Sequence, residues 1–184
     1  MSSNGNGKRS DFYKKRAIEI ADFLFSTKTF SDNPYVKLVT EDVHPIVDVI
    51  LKNLTMADNL SDFKSYDPKY RKTDFISDAA LSAMKNKQKI DLRYEHLVPK
   101  RQYLFDKINS YLSEGTEKDQ FKEKVYQLLS DIYYVATITK KENDELDKRF
   151  KTDMPDGWKQ GDNVKARYDE MKIRLNDTGL FEKE

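Results

Sequence analysis

Apolar residues recur at three- and four-residue steps in several separate stretches of this chain, and that spacing confines it to a mainly helical fold. Phe12, Ala17, Ile20, Ala21, Leu24 and Phe25 follow it, with Lys14, Lys15, Arg16 and Glu19 between them. Such a stripe buries one face of a helix and leaves the other in water. Asp11 stands where a cap would start this helix. Ser31-Asp32-Asn33-Pro34 reads as a turn. A second helix is predicted from a cap at Thr40, with Val43, Ile46, Val47, Ile50, Leu51 and Leu54 as its stripe and Pro45 in the first turns, where proline is tolerated. Further helices are predicted over Ser77–Met84, Gln102–Leu112, a segment restarted at Thr116, Lys140–Phe150 and Val164–Leu175.

Two segments depart from that period. Ile90–Val98 alternates loosely and stops at Pro99, as a short strand would. Tyr133–Thr139 is β-branched and aromatic, and reads either as the buried end of a helix or as a second short strand. Asp58–Asp74 is polar with Tyr66, Pro68 and Tyr70 embedded, and is expected to be a loop packed down by its aromatics. Met154–Trp158 is expected to be a loop anchored by its tryptophan. The fold class expected is therefore mainly α, with a short two-stranded element if Tyr133–Thr139 is a strand. Residues 1–10 read as a flexible polar tail, 11–88 as a helical region and 89–184 as a helical region holding that element, the whole forming one compact unit.

Composition removes several functions. Only 38% of residues are hydrophobic and 35% are charged, but 11 Tyr, 10 Phe and 1 Trp carry enough area for a core. With 33 basic and 32 acidic residues the net charge is +1, so only local clustering can point to nucleic acid. There is no cysteine, which excludes disulfides, thiolate-bound zinc and cysteine nucleophiles. No apolar run reaches the roughly 20 residues of a membrane span. The first ten residues lack the apolar stretch of a secretory signal, and a cytoplasmic protein is expected. No phosphate-binding GxxxxGK loop is present.

One nine-residue segment carries chemistry: Arg93-Tyr94-Glu95-His96-Leu97-Val98-Pro99-Lys100-Arg101. A neutral imidazole at His96 can take a proton from water, and an adjacent carboxylate at Glu95 can hold a divalent cation. Asn143, with Asp144 and Glu145 as alternatives, offers an oxygen ligand from the first turns of the Lys140–Phe150 helix. Lys85, Lys87, Lys89, Arg93, Lys100 and Arg101 surround the pair in sequence and suit phosphate contacts that carry no sequence information. The other histidine, His44, precedes Pro45 and reads as a capping or packing residue. Arg167-Tyr168 and Lys165 read by default as a solvated helix face.

An acidic residue, His, an aliphatic residue, any residue and Pro, followed later by a β-like segment and a helix carrying Asn, resembles the HNH nucleases of the ββα-metal class. The resemblance covers roughly residues 90–150. It implies His96 as the general base, Glu95 and Asn143 as ligands to Mg2+ or Mn2+, and nucleic acid as partner, DNA rather than RNA, in a phage, restriction or defence setting. The gap from His96 to Asn143 is longer than the compact family motif and requires a helical insertion. The alternative is a non-catalytic helical protein that binds another protein, with a homodimer open in either case.

Overall fold

The computed structural model describes residues 5–28, 44–52 and 60–179. Helix α1 (Gly5–Lys28) and helix α2 (His44–Lys52) come first. After a 3-10 turn at Ser61–Phe63, the chain forms α3 (Pro68–Arg71), β1 (Phe75–Ser77), α4 (Asp78–Lys85) and β2 (Leu92–His96). A π-helical turn at Arg101–Phe105 leads into α5 (Asp106–Ser113), followed by α6 (Lys118–Ile132). Then come β3 (Val135–Thr139), α7 (Lys140–Phe150), α8 (Ala166–Glu170) and β4 (Leu175–Asp177). The turn at 31–34, the cap at Thr40 and the side chain of His44 lie outside the described residues.

The four strands form one mixed sheet in the order β2-β3-β1-β4. Strand β3 pairs antiparallel with β2, placing His96 opposite Val135 and Leu92 opposite Thr139, and parallel with β1. Val-Ala-Thr-Ile-Thr suits this place. Its first four residues are buried, as expected for an inner strand covered on both faces. Phe75, Leu97, Ala136 and Ile138 meet Leu146 and Phe150 of α7 and Tyr168 of α8 on one face. On the other, Ile76 and Leu92 meet Ala80 and Met84 of α4, and Leu60, Phe63, Tyr66 and Tyr70 pack over them.

A third and larger core joins distant parts of the chain. Tyr13, Ala17, Ile20 and Leu24 of α1 and Val47 and Leu51 of α2 pack with Phe121, Val125, Leu128 and Leu129 of α6, and Met154 closes the cluster. Trp158 packs against it and meets Tyr103 edge-on with ring centroids 5.3 Å apart. The expected boundary near residue 88 therefore does not divide the core.

Helix ends explain much of the local order. Thr139 caps α7 in a capping box with Glu142, and Ser77, which caps α4 by accepting from the Ala80 amide at 3.1 Å, also donates to the same Glu142 carboxylate at 2.7 Å. One glutamate thus ties β1, α4 and α7 together. Lys87, with φ of 52°, takes the left-handed position after α4, where the Lys87 and Gln88 amides return to Met84 and Ala83.

Several expectations need correction. Helix α1 starts at Gly5, upstream of Asp11, so Asp11 is not its cap and the expected tail is partly helical. The sheet has four strands rather than two, because Phe75–Ser77 and Leu175–Asp177 pair with each other and β1 joins β3. The helix expected over Val164–Leu175 lasts only Ala166–Glu170. Lys172, at φ 56°, turns the chain out of it, and Leu175 enters β4. On α2, Val47 and Leu51 of the expected stripe are buried, and half-buried Ile50 packs against the same core.

Leu24→Ala should cost about 2–5 kcal/mol in urea unfolding, because it empties a fully packed site. Ile18→Ala, at a position 41% exposed, should stay within about 0.5 kcal/mol. Equal effects would mean that α1 does not bury the face described.

Candidate functional site

Strand β2 is an edge strand that ends at His96, and the cleft at this end has a volume of about 580 Å³. Glu95, His96, Pro99, Lys100, Arg101, Gln102, Phe105, Asp106, Lys151 and Thr152 line it. Successive strand residues face opposite sides of a sheet. Glu95 lies on the side of Ala136 and Ile138, toward α7 and α8. His96 lies on the side of Tyr94, with ring centroids 5.7 Å apart, and also packs 5.3 Å from the Tyr133 ring. Because the strand stops here, both side chains reach the same cleft.

Arg167 organises the cleft wall. Its side chain is 0% exposed. Nε donates to the Leu97 carbonyl at 2.8 Å, Nη1 to the Phe150 carbonyl at 2.7 Å, and Nη2 to Glu95 Oε1 at 2.8 Å and to the His96 carbonyl. Expecting Arg167 and Tyr168 on a solvated face was wrong; both are buried. Helix α8 is too short to show a periodic stripe, so neither residue had a pattern to mark it.

Burial pushes the Glu95 carboxyl above the usual carboxylate range. The Arg167 guanidinium pulls it back, and Asp147 on α7 pushes it up again. Asp147 is therefore close enough to act on Glu95. Asn143, one helical turn earlier, donates from Nδ2 to Asp147 Oδ2 at 3.0 Å and does not line the cleft. Helix α7 runs alongside β2 toward the cleft, and one turn advances about 5.4 Å. Asp147, which accepts the Asn143 hydrogen bond, likewise does not line the cleft and reaches Glu95 only through its charge. Asp144 and Glu145 are exposed and pair with Lys140 and Lys148. Burial also pushes the Tyr94 and Tyr133 phenols upward, with Asp74 adding to both, so the rings beside His96 stay neutral.

The cationic residues divide into two groups. Lys100 and Arg101 line the cleft, and Lys151, which the sequence reading passed over, joins them. Lys100 is paired with Asp48, whereas Arg101 and Lys151 make no ion pair among the described residues. Lys85, Lys87 and Lys89 are exposed at the opposite end of β2, and Arg93 folds back onto the Leu92 carbonyl at 2.9 Å. These four do not line the cleft.

The carboxylates that line the cleft are Glu95 and Asp106, and Asp147 with the Asn143 amide bonded to it stands on α7 outside the lining. Among the described residues no three His, Asp or Glu side chains form a metal-holding group. The set fits a hard cation that keeps several waters better than one needing a full protein cage. No helix among the described residues is long and apolar enough to cross a membrane. The chain matches no family model, no curated protein and no solved structure.

The raised Glu95 ionisation has a defined sign. The native state holds the Glu95 proton more tightly than the unfolded chain does, so that contribution to stability is present at low pH and lost as pH rises through the folded value. Glu95→Gln cannot ionise and escapes the loss. Its melting temperature relative to wild type should therefore rise between about pH 4 and pH 7. A relative fall would show that Arg167 outweighs burial.

Proposed function

We propose that this protein is a metal-dependent nuclease whose working site is the cleft at the end of β2. The observation that carries the reading is the antiparallel pairing of β2 with β3 and the start of α7 directly after β3. In this reading β2, β3 and α7 are a ββα succession, and residues 97–134, which build the largest core with α1 and α2, are the helical insertion that the resemblance to HNH nucleases requires. Glu95 and Asp147 would then hold Mg2+ or Mn2+ through carboxylate oxygens, with Asn143 orienting Asp147. The bound cation supplies charge neutralisation at the phosphate and at the leaving oxygen. His96, supported by the Tyr94 and Tyr133 rings, accepts the proton of the attacking water as the phosphodiester bond breaks. Arg101 and Lys151 bind backbone phosphates without reading bases. DNA is the substrate proposed, in a cytoplasmic phage, restriction or defence setting.

A second reading, a non-catalytic interaction protein, draws on Ile18, Phe23 and Val49, large apolar side chains exposed on α1 and α2. The cleft favours the first reading, because it gathers at one strand end a carboxylate, an imidazole and two cations that make no ion pair among the described residues.

With Mg2+ or Mn2+ the wild-type protein should cleave DNA, and His96→Ala should lose at least about 100-fold in rate with little change in affinity. Arg101→Ala and Lys151→Ala should instead weaken binding, each lowering the salt slope by about one. A fully active His96→Ala variant, or a wild type inert with either metal, would retire the nuclease reading.

A further inference from the structure

We propose that Arg167 is the positioning residue of the cleft: its buried guanidinium grips three consecutive residues at the end of β2 and binds them to the end of α7. The residue is distant in sequence from everything it holds. Glu95, His96 and Leu97 are bonded through a carboxyl oxygen and two carbonyls, and Phe150 through a third carbonyl. Phe150 immediately precedes Lys151 and Thr152, which line the same cleft. One planar group thus sets the separation of the two cleft walls.

The chemistry requires arginine. A guanidinium has five donors in a rigid fork, and here three of its nitrogens reach four acceptors on two elements. A lysine ammonium supplies charge and three donors at a single point, so it cannot span the same acceptors. The hydrogen bond also fixes Glu95 Oε1 and leaves Oε2 without a hydrogen-bond partner among the described residues. Glu95 is 27% exposed whereas Arg167 is fully enclosed. The arginine is therefore a support behind the cleft rather than a group that meets substrate.

This inference rests on the nuclease reading only for its catalytic consequence. If that reading holds, Arg167→Lys should lower kcat with nucleic-acid affinity nearly unchanged, since affinity comes from Arg101 and Lys151. The positional claim is tested without any activity. In amide NMR spectra, Arg167→Ala should displace the resonances of Glu95–Leu97 and of 150–152 together. Guanidinium ion at millimolar concentration should restore them saturably, while ammonium should not. If Arg167→Ala does not fold, the wild-type protein carries the test: the Arg167 Nε proton should exchange with solvent far more slowly than those of exposed arginines such as Arg101. Resonances at both walls unmoved by Arg167→Ala, or displaced but unrestored by saturating guanidinium, would overturn the assignment, as would a fast-exchanging Nε proton. Restoration by guanidinium in a protein that cleaves nothing would uphold Arg167 and sink the nuclease reading alone.

Discussion

A guanidinium enclosed between a strand end and a helix end is the interaction on which the cleft depends. The β2 carbonyls at His96 and Leu97 lie where the strand leaves the sheet, and the Phe150 carbonyl lies at the end of α7, where helical partners run out. Backbone acceptors in such places must be satisfied when they are buried. Arg167 satisfies all three and neutralises a carboxylate as well. Leaving either charge of such a pair alone in the interior costs more than the pair contributes, so Glu95 and Arg167 constrain each other.

That constraint sets the electrostatics of the cleft. Glu95 is held between a guanidinium that favours its charge and a buried setting, with Asp147 nearby, that disfavours it. A cation arriving at the cleft would relieve that conflict, and so would a proton. Around this centre Arg101 and Lys151 supply positive charge without an ion pair among the described residues, whereas the charge of Lys100 is matched by Asp48. A chain with a net charge of only +1 can therefore still present a local cationic surface.

Much of the fold was legible because it follows from local pattern. The stripe from Phe12 to Phe25 forms α1, and Thr139 caps α7. The β-branched run after Tyr134 became β3 because both of its faces are covered, a condition no local window contains. Strands β1 and β4 have three residues each, too few for alternation to register, and exist through each other and through β3. In the cleft, Glu95 and His96 were legible as neighbours in sequence. Asp147, Lys151 and Arg167 were not, because their roles depend on the direction in which α7 runs and on a contact across 72 residues. The lysines at 85, 87 and 89 are near β2 in sequence but stand at the end away from the cleft.

The proposed nuclease function requires the end of β2 and the facing turn of α7 to form one cation-binding, phosphate-handling cleft. Paramagnetic broadening by substoichiometric Mn2+ tests it most directly, read across the backbone amide spectrum. The account predicts broadening concentrated at Glu95–Arg101 and at 143–152, and abolished in an Asp147→Asn, Glu95→Gln double variant. Broadening centred on other acidic residues, or unchanged in the double variant, would contradict it.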